Sequence, residues 1–265
     1  MIAFIQRFDP ISPWLLGLVF IAILSVVIEA GYRTARKLRG DRELDKHPIE
    51  TSVTGTVTGL LAFMLAFTFG GSVNRYSDIR NLALADTIAI ENTFDRTDVL
   101  AEPEQTEAKK ILVEYLSVRL EALKSGDPSQ IEQAVQRSSI LQARLWDLSI
   151  NAQAKSGDSV MNTFVNAVGE MGNANTRRVH KATVTRLPSM LWACLLFLAA
   201  LASFLLGMSS GFHGRRSRFA ATAMLIGFSS VFVLIIDLDR PIRSFFQVTD
   251  ETSEALLERM ERETP

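Results

Sequence analysis

The chain has 265 residues, a formal net charge of -1 at pH 7 and a single cysteine, with 48% of its residues hydrophobic and 22% charged. The balance leaves none of the basic excess that a nucleic-acid partner requires, and a lone Cys194 excludes an intrachain disulfide framework. The hydrophobic residues are gathered into blocks instead of being spread evenly, which excludes an ordinary soluble domain.

A hydrocarbon core about 30 Å thick needs roughly 20 apolar residues of helix. Four stretches free of Asp, Glu, Lys and Arg meet that need: Pro10 to Ile28, Thr51 to Asn74, Leu187 to Gly214 and Phe219 to Ile236. The first is not a cleaved signal, because its positive charges, Arg33, Arg36, Lys37 and Arg39, follow the apolar run instead of preceding it. Cys194, inside the third stretch, reads as a small lipid-facing or packing residue.

Between the second and third spans the chain reads as helix almost throughout. Ile79, Leu82, Ala83, Ile90 and Phe94 recur at helical spacing, so the second span is expected to continue well past the membrane. In the next helix Pro103 stands near the start and Gly126 just past the end, with Leu112, Leu116, Leu120 and Leu123 on one face. Asp127 and Pro128 open another helix as cap and first residue. A last one is expected from about Ser159 toward Pro188, with a kink at the glycines of "GEMGNAN", residues 169 to 175. Such amphipathic helices gain most of their stability from packing, so the middle region is expected to be a bundle. The fold class is an all-α membrane protein of four transmembrane helices with a long helical bundle between spans two and three. Its segments are a transmembrane pair in 1–75 (spans about 11–31 and 52–74), a bundle in 76–186, a second pair in 187–237 (spans about 187–209 and 219–236) and a tail helix in 238–265.

Catalytic chemistry is absent from the pattern. His47, His180 and His213 stand in separate segments with no second ligand at helical spacing, and there is no phosphate-cradling glycine loop, GxSxG or HExxH. No enzyme, metal or cofactor is expected.

The second span is the most specific part of the chain. Gly55, Gly59, Ala62, Ala66 and Gly70 form a stripe of small residues that lets a neighbouring backbone approach closely, and Phe63 and Phe67 stand on an adjoining face. Either the stripe packs inside the subunit and the phenylalanines face lipid or core, or the span lines a pore whose aromatic rings gate by dewetting.

"LLAFMLAFTFGGSVNRYSDIRNLALADTIAIENTFDRTD", from residue 60, resembles the second-span region of the bestrophin-like family of bacterial membrane proteins and, more distantly, the bestrophin ion channels. The shared features are paired aromatics, a polar exit, Arg75 beside Tyr76, Arg80 a turn later, and a long mixed-charge helix carrying Asp78 and Asp86. "LIIDLDRPIRSFFQV", residues 234 to 248, with Asp237, Asp239, Arg240 and Pro241, resembles the family's closing segment.

The resemblance implies a homo-oligomeric ion channel in a bacterial inner membrane, five-fold in symmetry, with a neck built from the second span. Phe63 and Phe67 match two neck positions by place, and Gly59 falls on a third where the channels carry a bulky apolar side chain. The acidic calcium clasp of animal bestrophins has no counterpart in the tail "DETSEALLERMERETP". Four apolar spans are too few to enclose a conduit alone, so any pore lies between subunits that close into a ring. Glu29 and Asp237 sit at span ends, where a charge costs less than at the centre.

Orientation by charge runs against the resemblance. Arg33, Arg36, Lys37, Arg39, Arg42 and Lys46 follow span one, and Arg215, Arg216 and Arg218 fill the turn between spans three and four, which places both short loops in the cytoplasm and both termini and the bundle outside. Bestrophin channels have the opposite arrangement, and Arg177, Arg178, Lys181 and Arg186 blunt the bias. A second functional reading is a sensory or scaffolding protein that transmits helix movement across the bilayer without a pore. Such a protein needs no aromatic rings on an axis.

Overall fold

The computed structural model describes residues 12–39, 48–184, 187–212, 218–239 and 251–264, and every described element is helical. The helices are α1 (Pro13–Arg39), α2 (Pro48–Asp95), α3 (Glu104–Ser125), α4 (Pro128–Ser156), α5 (Met161–Val184), α6 (Ser189–Phe212), α7 (Arg218–Asp239) and α8 (Glu251–Glu263), with a 3-10 turn at Arg96–Val99. Four of them, α1, α2, α6 and α7, are long and apolar enough to cross a membrane. His47, Arg42, Lys46, Arg186, His213, Arg215, Arg216, Arg240 and Pro241 lie outside the described residues.

The continuation expected of the second span is present: α2 runs 48 residues without a break. At 1.5 Å per residue that is about 72 Å, more than twice the hydrocarbon thickness.

The chain divides into two compact units, one of Met1–Tyr76 and Arg186–Arg240, the other of Ser77–Thr185 and Pro241–Pro265. In the first, α1 packs most extensively on α6 and next on α7. Lipid tails are as apolar as leucine, so helices associate here through close packing instead of through a hydrophobic driving force. The close approach is made by glycines that the sequence reading did not single out. A Cβ on Gly207 would overlap the Ile28 carbonyl and stand 3.0 Å from the Tyr32 nitrogen, and one on Gly211 would stand 2.8 Å from the Tyr32 carbonyl oxygen. One on Gly31 would overlap the Phe204 carbonyl. Gly207 and Gly211 form a GxxxG in plain sight. In the same unit Phe20 stacks on Phe232 with ring centroids 4.1 Å apart, and Trp192 meets Phe232 edge-on at 5.5 Å.

The second unit holds the rest of α2 with α3, α4, α5 and α8. Its core includes Ile90, Phe94, Leu112, Tyr115, Leu145, Phe164 and Met171, all almost fully buried. In water each such side chain contributes about 1.5–3 kcal/mol. Leu112, Leu116 and Leu120 face that core as expected, whereas Leu123, in the last turn of α3, is exposed. Asp127 caps α4 by accepting from Ser129 N at 3.0 Å, and Gly126 and Gly157 end α3 and α4 at positive φ. The helix α5 runs unbroken through Gly169 and Gly172. There Gly172 admits the Gln142 side chain, which a Cβ would strike.

The tail helix α8 lies in the bundle core through Leu256 and Met260. Its Ser253 and Thr87 share a buried hydrogen bond of 2.7 Å, and Arg259 reaches Glu91 at 3.0 Å and Asp95 at 2.7 Å. Hydrogen bonds to Glu263 and the charge of Asp95 raise the Arg259 pKa.

Candidate functional site: the open face of the second span

Within the first unit α2 buries Leu61, Leu65, Thr68, Ser72 and Arg75. These positions are spaced 4, 3, 4 and 3, the signature of one helix stripe. In the second unit the buried positions Asp86, Ile90 and Thr93 follow the same alternation. Polar side chains tolerate these sites because they are satisfied locally: Thr68 donates to the Met64 carbonyl at 2.7 Å, Ser72 to Thr68 at 3.1 Å, and Thr93 to Ala89 at 2.7 Å.

The stripe of small residues is on the other side. Gly55, Gly59, Ala62 and Ala66 are exposed, Gly70 is half-buried, and a Cβ built on Gly55, Gly59 or Gly70 meets nothing within 4 Å. Phe63 and Phe67 are each 65% exposed. Residues four apart on a helix lie on one face, so the two rings stand together beside the small stripe. Among the described residues none of these seven is buried, and the close intrasubunit contact goes to Gly31, Gly207 and Gly211 instead.

The charged residues at the exit of the span divide differently. Arg75 is buried and donates to the Asp239 carbonyl at 2.9 Å and to its carboxylate Oδ1 at 3.2 Å. The same Oδ1 accepts the Leu187 backbone N–H at 3.3 Å. One carboxylate thus ties together α2, the C-terminus of α7 and the segment entering α6, and a guanidinium at the end of α7 complements its dipole. Two parts of the resemblance, the Arg75-Tyr76 pair and the closing segment, meet here. Asp237 is also buried, and Tyr76 is half-buried.

Asp86 is fully buried inside the bundle, where its Oδ2 accepts from Arg119 at 2.5 Å and from Arg178 at 3.0 Å. Arg119 also donates to the Tyr115 hydroxyl at 2.6 Å and lies over its ring. Burial raises the Tyr115 pKa, against the opposing effect of the Arg119 charge. Asp78 and Arg80 are exposed, and Asp78 pairs with Lys181 at 2.9 Å. No group of three or more His, Cys, Asp or Glu among the described residues could hold a metal ion.

The architecture is that of an all-α membrane protein with a helical bundle inserted between two pairs of spans. Residues 19–253 match the model of the bestrophin-like domain, and the chain belongs to the bestrophin-like family. Two solved structures of variants of a bacterial bestrophin homologue from Klebsiella pneumoniae are similar in fold. One has a TM-score of 0.66 at 15% identity over 95% of this chain and 97% of that one; the other has 0.65 at 16% over 95% and 98%. A third, described as a membrane protein, gives 0.66 at 14% over 95% and 97%. At these identities the likeness is one of fold. Among curated proteins there is no match. Four apolar spans and this family make the chain an integral membrane protein.

Proposed function

We propose that this protein is a homo-oligomeric ion channel, five-fold in symmetry, whose neck is formed by α2 around the central axis. The observation that carries it is the division of α2 into two faces. One is buried through Leu61, Leu65 and Thr68, and the other is open through Gly59, Ala62, Phe63, Ala66 and Phe67. Small residues allow close contact with an adjacent copy, and the two phenylalanines give successive apolar rings. In such a ring water cannot replace an ion's lost hydration, so closure needs only a small radius. Gly59 leaves the first position wide. The pore runs between subunits, in a bacterial inner membrane, with inorganic ions as the permeant partners. Charge counting puts both termini and the bundle outside the cytoplasm. A sensor that only transmits helix movement has no use for these rings.

The test is ion flux in liposomes reconstituted with Phe63→Ala/Phe67→Ala. The double variant is expected to leak more than wild type. Phe197→Ala, at an equally exposed phenylalanine of α6, is expected to change nothing. Equal flux from wild type and double variant, both correctly assembled, sinks the neck assignment.

A further inference from the structure

Along the part of α2 that lies in the second unit, every charge but one has a counter-charge among the described residues. Asp86 has Arg119 and Arg178, Glu91 and Asp95 share Arg259, and Asp78 has Lys181. Arg80 is exposed and forms no ion pair or hydrogen bond among the described residues. Arg80 is thus the guanidinium of this part of α2 that is available to a partner outside the chain.

Arg80 and Asp78 are two residues apart, so they point about 200° apart around the helix. Between them, on the open side, lie Ser77, Asn81, Leu84, Ala85 and Ile88, all exposed and all uncharged. The open face is therefore bracketed by a cation on one flank and a carboxylate on the other. The Asp78 side chain is still 54% exposed despite its contact with Lys181, and one rise of about 3 Å separates the two levels. In a ring of parallel copies, each helix presents one flank to the preceding copy and the opposite flank to the next.

We infer that the partner of Arg80 is Asp78 of an adjacent copy of this chain. The carboxylate is held in cis by Lys181 and bridged in trans by the guanidinium, and the bracket selects the head-to-tail arrangement that closes a ring. The inference rests on the ring assembly proposed above and adds the contact that sets its register.

The experiment is cross-linking of the membrane-embedded full chain in a Cys194→Ala background, with cysteines placed at both positions (R80C/D78C) and a short bifunctional thiol reagent. The two cysteines point apart on one helix and cannot bridge within a chain. The expected result is a ladder of covalent species that ends at the subunit number found by native mass for the untreated protein, with no ladder from R80C or D78C alone. An intact oligomer whose double variant stays monomeric after treatment overturns the contact and leaves the ring standing. Dimers from R80C alone also overturn it, because they put like flanks together. A monomeric wild type by native mass overturns the ring itself.

Discussion

Removing the Asp86 carboxylate tests the bundle most severely. The group is fully buried, and both of its partners are largely so, with 12% of the Arg119 side chain and 17% of the Arg178 side chain exposed. In Asp86→Ala the bundle keeps two guanidiniums close together with their shared counter-ion gone. Breaking a buried pair in this way costs about 3–5 kcal/mol, because the charge left behind stays desolvated. At about 2–4 °C per kcal/mol for a chain of this size, the thermal midpoint falls by roughly 6–20 °C. The assay is a far-UV circular dichroism melt of the purified protein in detergent. A second variant separates charge imbalance from lost packing. Asp86→Leu/Arg119→Met/Arg178→Met removes all three charges together, and the carboxylate brings one oxygen, Oδ1, that has no hydrogen-bond partner among the described residues. Replacing such a network with apolar groups is expected to be neutral or to stabilise by about 1–4 kcal/mol. The reasoning is refuted if Asp86→Ala melts within about 2 °C of wild type, or if the triple variant melts as low as the single one.

Two further outcomes are expected. Gly207→Val places atoms on the Ile28 carbonyl and should cost about 1–3 kcal/mol or more in detergent thermostability, while Gly227→Ala, whose added Cβ meets nothing within 4 Å, should cost none of it; equal losses would show that the α1–α6 approach is not close. On orientation, in a Cys194→Ala background a cysteine at Ser217 should resist a membrane-impermeant thiol reagent in intact cells and one at Ser125 should react, and the reverse pattern overturns the charge count.

The four spans, the all-helical middle and the unbroken α2 were legible because each rests on a local rule: length without charge, apolar periodicity, and Pro, Asp or Gly at helix ends. The small stripe and the phenylalanine pair stood out for the same reason. Beyond the membrane the packing side of α2 was legible in part, since Ala83, Ile90 and Phe94 stood at helical spacing and are buried; within the span it was hidden, because its stripe contains Thr68, Ser72 and Arg75, and a search for apolar spacing passes over positions that hydroxyls and ion pairs have made fit for burial. The sequence also offered two sets of small residues and no means to rank them. Gly207 and Gly211 close on α1, whereas Gly55 and Gly59 face open space, and that assignment depends on which helices meet, a non-local fact. The charges divide in the same way. From order alone Arg75, Asp78, Arg80 and Asp86 form one mixed exit helix. Their partners lie between 33 and 164 residues away where hydrogen bonds join them, so only the assembled fold decides that Arg75 and Asp86 are structural ties and that Arg80 is left facing outward. Local periodicity fixes how a helix is divided into faces; what each face meets is set by contacts between segments far apart in the chain, and those exist only after the helices have packed.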